Sequence, residues 1–163
     1  MYSGVQVTSG EWYVDKISLG DTLCGYSFHK SEGAYGGVIS VWNASRVNVW
    51  SSMGFDNVLV IEGTVIQTAE EFIIINVYAP CETAAKKELW DQLNLLVLNN
   101  LDTCLCVCVD FNSVCSAEER KGRGSMFRQF DADLFNKFIH DSILIDLPIA
   151  VVCLLGVKVM VYQ

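Results

Sequence analysis

The chain has 163 residues, 52% of them hydrophobic and 18% charged, with a formal net charge of −8 and an isoelectric point near 4.6. That much apolar material excludes intrinsic disorder, and the acidic balance opposes nonspecific attraction to nucleic acid, whose usual footprint is a basic surface. A complete two-sheet domain of this complexity commonly needs roughly 200–250 residues, so the length predicts a single partial domain over residues 1–163.

In chain order, residues 1–21 are weakly patterned, and residues 26–28 read as a short strand before a turn region at 31–37. Four runs rich in β-branched and aromatic residues follow, at 38–42, 47–51, 57–66 and 71–78, separated by Asn43-Ala44-Ser45, Met53-Gly54 and Thr68-Ala69-Glu70. They predict antiparallel hairpins. From residue 83 to 99, Leu89, Trp90, Leu93, Leu96 and Val97 recur at helical spacing, with Thr83 as the expected cap and Lys86, Lys87, Glu88 and Asp91 outside. A second helix is predicted over residues 126–141, burying Phe127, Phe130, Leu134, Phe135, Phe138 and Ile139. No internal repeat, low-complexity tract or linker divides the chain.

The seven cysteines, Cys24, Cys81, Cys104, Cys106, Cys108, Cys115 and Cys153, form no Cys-x-x-Cys or histidine-spaced pattern, which argues against zinc. Cys104, Cys106 and Cys108 share one face of a predicted strand, where neighbours about 6.5 Å apart have poor geometry for bridging; they are expected to be small core residues. The apolar run at 143–162 is interrupted by Asp146, Pro148 and Lys158, so no membrane span is expected there. With no arginine-led apolar leader apparent, reduced thiols and a nuclear or cytoplasmic location are the expectation.

The segment Val107-Cys108-Val109-Asp110-Phe111-Asn112 carries the chemistry, because alternation in a strand puts Asp110 and Asn112 on one face. At the end of an apolar strand an ionised acid reaching a cleft can activate water. The competing reading is a turn whose side chains bond nearby backbone. Upstream, Glu71-Phe72-Ile73-Ile74-Ile75-Asn76-Val77-Tyr78-Ala79-Pro80 is a second strand, ended by proline with a tyrosine at its exit. Read from the strand alone, that tyrosine is an aromatic plug with its hydroxyl at the surface.

The order of a Tyr-x-Pro strand, a helix and an Asp-Phe-Asn strand resembles the endonuclease/exonuclease/phosphatase family, the metal-dependent phosphodiesterases that include apurinic-site endonucleases. Two further blocks narrow the resemblance. Glu32-Gly33-Ala34-Tyr35-Gly36-Gly37-Val38-Ile39-Ser40-Val41-Trp42 looks like that family's Gly-Gly strand, and Glu118-Glu119-Arg120-Lys121-Gly122 followed by Asp146-Leu147-Pro148 is similar to the endonuclease domain of LINE-type retroelements, or retrotransposons. The resemblance covers residues 12–149, with 150–163 a divergent tail.

It implies an α/β fold, an incomplete two-sheet β-sandwich flanked by helices in four layers, and an ancestral Mg²⁺-dependent hydrolysis of DNA phosphodiester bonds. In those terms Asp110 positions or deprotonates the water, Asn112 donates to phosphate or orients that water, and Tyr78 bonds phosphate oxygens. Arg120, Lys121 and Arg123, with Arg128, would touch DNA phosphate; the alternative is a solvated loop beside Glu118 and Glu119.

Several departures set the expected activity. The family's metal-holding glutamate is not visible, since neither Glu11 nor Glu32 stands at a strand end, and the closing serine-aspartate-histidine motif is absent. His29 and His140 do not replace it; His140 reads as a solvated residue at a helix end. Val109 stands where the family usually has glycine, and the tail Val151-Val152-Cys153-Leu154-Leu155-Gly156-Val157 replaces a threonine-tryptophan strand. The chain is therefore expected to be a decayed copy, truncated at both ends and inactive, with no metal ligand assigned; the alternative is a noncatalytic interaction module or unstable remnant. Nothing in the sequence fixes an oligomeric state.

Overall fold

A computed structural model describes residues 15–19, 22–30, 37–110, 129–147 and 157–162. The chain divides between Val77 and Tyr78 into two compact units.

In the first unit, β1 (Asp15–Leu19), β2 (Thr22–Lys30) and β3 (Gly37–Asn43) form an antiparallel sheet in the order β1-β2-β3. The strands β4 (Val47–Phe55), β5 (Val58–Val65) and β6 (Glu71–Tyr78) form a second antiparallel ladder. The two layers face each other. Register places Leu59, Ile61 and Gly63 of β5 opposite Asn76, Ile74 and Phe72 of β6, and this common face packs on Val38 and Trp42 of β3. Val58 and Val60, pointing the other way beside Val77 and Ile75, are equally buried, so β5 is apolar on both sides and reads as a continuous Val/Leu/Ile run. Polar groups also tie the layers. Ser27 Oγ lies 2.5 Å from Ser52 Oγ in a buried hydroxyl pair, and Asn76 Nδ2 donates to the Ile39 carbonyl at 3.0 Å.

Three sequence expectations are corrected here. The run of hairpins is interrupted, because β3 and β4 lie in different layers. Asn43 Oδ1 accepts from the Ser45 N–H and hydroxyl, and Ala44 N–H donates to the Leu23 carbonyl, which turns the chain out of one layer into the next. The β4–β5 turn falls at Asp56-Asn57, not Met53-Gly54: Asp56 takes φ 44°, a left-handed conformation that aspartate tolerates. Gly54 instead stays in the strand, because the His29 ring occupies the place of a side chain; a Cβ there would lie 2.2 Å from His29 Nδ1. Finally, the weakly patterned N-terminal stretch contains β1, and β2 is longer than residues 26–28.

The second unit contains α1 (Thr83–Leu98), β7 (Cys104–Asp110), α2 (Gln129–Asp141), β8 (Ile145–Leu147) and β9 (Val157–Tyr162). β9 lies antiparallel to both β7 and β8, so the divergent tail supplies a strand between them. The helices meet through Trp90 of α1, whose ring centroid is 5.5 Å from Phe135 and 5.2 Å from Phe138 of α2. Leu89, Leu93 and Val97 complete the buried stripe of α1.

The helix edges and faces differ from expectation. Glu82, not Thr83, is the N-cap of α1, and it makes no side-chain capping bond. Lys86, expected outside, is 3% exposed. In α2 the start is Gln129, with residues 126–128, and so Phe127, outside the described residues. Phe130 is 63% exposed because the buried stripe runs through Ala132, Phe135 and Phe138. In β7 the core face carries Leu105 and Val107, both fully buried; Cys104 is exposed and Cys106 and Cys108 are half-buried, so they are not core residues. Alternation makes these two sets exclusive.

Candidate active site

The Tyr-x-Pro motif ends β6. Tyr78 is its last residue and is 49% exposed, between buried Val77 and fully buried Ala79. Pro80 follows without an N–H to continue a ladder, so the strand stops there and leaves the tyrosine at its exit. Asp110 is likewise the last residue of β7, paired in register with Val157 of β9. Its side chain, and the whole of Asn112, lie outside the described residues, as do Arg120, Lys121, Arg123 and Arg128. His140 sits in the last turn of α2, highly exposed, with Nδ1 3.4 Å from Asp141 Oδ1. It is the solvated helix-end residue expected of it.

The polar cluster that the structure does assemble was not anticipated. Thr83 Oγ1 donates to Asp131 Oδ1 at 2.6 Å, and Lys86 Nζ donates to Asp131 Oδ2 at 3.3 Å. Lys86 and Asp131 side chains are 3% and 13% exposed, so this pair joins α1 and α2 away from water. Each charge offsets part of the cost of burying the other. The sequence signal was present: Lys86 stands three and four residues before Leu89 and Trp90, on the apolar stripe itself. A cleft of about 90 Å³ between the helices, beside Trp90, Asn94 and Phe138, is well below the roughly 300–1,000 Å³ of a ligand pocket.

One further cluster carries reactive atoms. Cys106 Sγ and Cys108 Sγ lie 3.6 Å apart on the same side of β7. The shared S–H···S contact holds the Cys106 thiol well above the usual range, with burial adding to the shift, while the same bond pulls Cys108 down against burial. Among the described residues no group of three or more His, Cys, Asp or Glu is disposed to hold a metal ion. Nor is any helix among them long and apolar enough to cross a membrane.

No family model matches the chain, and no curated protein matches its sequence. Solved structures do match. The human Nocturnin catalytic domain with bound sulfate aligns at TM-score 0.59 and 12% identity over 86% of this chain and 61% of its own. An endonuclease/exonuclease/phosphatase family protein from Bacteroides thetaiotaomicron aligns at TM-score 0.55 and 10% identity over 85% and 61%. A mannosyl-6-phosphatase from the same organism aligns at TM-score 0.50 and 10% identity over 85% and 63%. The chain thus spans about three fifths of each of these structures. At such identities the likeness is one of architecture: this chain has the mixed α/β fold of endonuclease/exonuclease/phosphatase proteins, in incomplete form.

Proposed function

We propose that the chain is a retroelement-derived domain of the endonuclease/exonuclease/phosphatase type, ancestrally hydrolysing DNA phosphodiester bonds with Mg²⁺ and no longer turning over. The observation that carries this reading is the shared fold together with the ends of two strands: Tyr78 closes β6 with its ring half in solvent, and Asp110 closes β7. The retroelement origin rests on the sequence blocks around Glu118 and Asp146.

In the proposed site the Asp110 carboxylate accepts a proton from the attacking water and aligns its lone pair with phosphorus. The Tyr78 O–H and the Asn112 amide N–H donate to nonbridging phosphate oxygens, where charge gathers as the bond to water forms. Arg120, Lys121 and Arg123 neutralise neighbouring DNA phosphates and set register without reading sequence. Magnesium, when bound in such an enzyme, stabilises the leaving oxygen. It demands near-octahedral oxygen donors, and among the described residues no group of three or more His, Cys, Asp or Glu makes such a set. The reading of lost turnover rests on the sequence, where no metal-holding glutamate stands at a strand end.

Nicking of supercoiled plasmid and of an apurinic-site duplex tests the reading. Folded protein that gives no Mg²⁺-dependent nick is the expected result; nicking that needs Mg²⁺ and vanishes in Asp110→Ala would show an intact enzyme. Duplex binding that weakens with salt and is lost in Arg120→Ala/Lys121→Ala supports the DNA contact, whereas no binding at low salt removes DNA as a partner.

A second reading, a noncatalytic interaction module, is favoured by Phe28, Ile39 and Val41, exposed apolar residues on neighbouring strands β2 and β3. A folded protein that binds no duplex, yet loses self-association or partner binding in Ile39→Glu, would favour it over the nuclease remnant.

A further inference from the structure

The cysteine pair of β7 has no part in the proposed hydrolysis, and its geometry suits a different chemistry. Cys106 Sγ and Cys108 Sγ are 3.6 Å apart, half-buried, and fixed on a strand paired with β9 along its length. A disulfide would have to draw the sulfurs in to about 2.05 Å, while residues two apart on a strand have Cα atoms about 6.5 Å apart, near the outer limit for a bridge. A single atom bound to both sulfurs needs no such contraction. Two metal–thiolate-length bonds of about 2.3 Å, meeting at the roughly 100° angle of a pyramidal three-coordinate centre, span sulfurs about 3.5 Å apart, close to the separation already present.

We propose that Cys106 and Cys108 form a two-sulfur chelating site for a thiophilic metalloid centre of the trivalent arsenical class. The number of ligands selects this class. Tetrahedral zinc takes four protein donors in a structural site and three in a catalytic one, and no group of three His, Cys, Asp or Glu is disposed for a metal among the described residues. An organoarsenical brings its own third substituent and asks the protein for two sulfurs only. In the reaction each thiol gives up its proton, two S–As bonds form, the arsenic–oxygen bonds break and the oxygen leaves as water. Arsenic and sulfur keep their oxidation states, so no oxidant or reductant is required. The shared S–H···S contact supplies a nucleophilic first sulfur at Cys108, with Cys106 beside it to close the ring.

Phenylarsine oxide is the probe, applied to the full chain, followed by iodoacetamide and peptide mass spectrometry. The expected result is one adduct that shields Cys106 and Cys108 and leaves exposed Cys104 open to alkylation. Cys106→Ser or Cys108→Ser should weaken retention of the probe about 100-fold, since the second S–As bond is the intramolecular one; Cys104→Ser should leave it unchanged. An unfolded chain would treat the 104/106 and 106/108 pairs alike. Equal loss in Cys104→Ser and Cys108→Ser, an adduct retained in Cys108→Ser, or wild-type protection of any other pair would overturn the assignment.

Discussion

The two units differ in whether they bury charge at their packing contacts. Between the β layers of the first unit the contact is neutral, a serine hydroxyl against a serine hydroxyl, Ser27 with Ser52. In the second a charged contact, Lys86 and Thr83 converging on Asp131, stands beside a neutral one in which the Ser142 hydroxyl donates to Asn94 Oδ1 at 2.9 Å. A neutral pair can lose one member and leave behind a small unsatisfied group, whereas a buried ion pair that loses one member strands a charge. The first unit therefore depends on the fit of Leu59, Ile61 and their neighbours, and the second on the Lys86–Asp131 junction as well as on its aromatic rings.

The sharpest way to break that comparison is at the junction. Asp131→Ala should destabilise the protein by about 3–5 kcal/mol in denaturant titrations, while the double change Lys86→Met/Asp131→Leu should recover most of the loss. A cost below about 1 kcal/mol for the single change, the range of an exposed pair, would mean that water reaches the junction. Phe135→Ala, removing the fully buried ring against Trp90, should cost about 3–5 kcal/mol by cavity formation. In the first unit Leu59→Ala should cost about 2–5 kcal/mol by the same mechanism. Ser27→Ala should cost only about 1 kcal/mol, and if it costs as much as Asp131→Ala the contrast between neutral and charged contacts is lost.

The smallest effect is at the surface of α2. Lys137, bonded to Asp141, holds that carboxyl below its ordinary value, with His140 helping. A lowered folded value contributes stability above the carboxyl's ordinary pKa of 3.8, and the contribution is lost as pH falls through the lowered one. Lys137→Ala should therefore soften the acid limb of helicity measured by circular dichroism, and do so less at high salt because the pair is exposed.

How far the sequence carried depended on whether one local pattern decided the outcome. β6 was legible end to end, since its apolar run is closed by Pro80 and opened by the Thr68-Ala69-Glu70 turn, where Ala69 takes φ 59°. The body of α1 was legible because its stripe repeats at helical spacing. The resemblance implies a mixed α/β fold with two sheets and flanking helices, and the chain has two sheets and two helices among the described residues. What escaped were features set by distant partners. Gly54 looks like a turn residue until His29 is found filling its place, and Lys86 looks solvated until Asp131 of another helix meets it. The cysteine face of β7 reads as core in the sequence because a small apolar thiol fits either side of a strand, and the full burial of Leu105 and Val107 decides which side is the core. Of the candidate site, Tyr78 at a strand exit and Asp110 at a strand end were both readable from the motifs. The convergence of their side chains with Asn112 is the part that the motifs alone do not supply, and it is the centre of the proposal.

Spin labels at positions 78 and 112, read by double electron–electron resonance on a chain shown to be folded, measure that convergence directly. The proposed site predicts one narrow distribution at the short end of the measurable range. A broad or long distribution would separate the tyrosine position from the Asp-Phe-Asn segment and contradict the phosphodiesterase ancestry of the site.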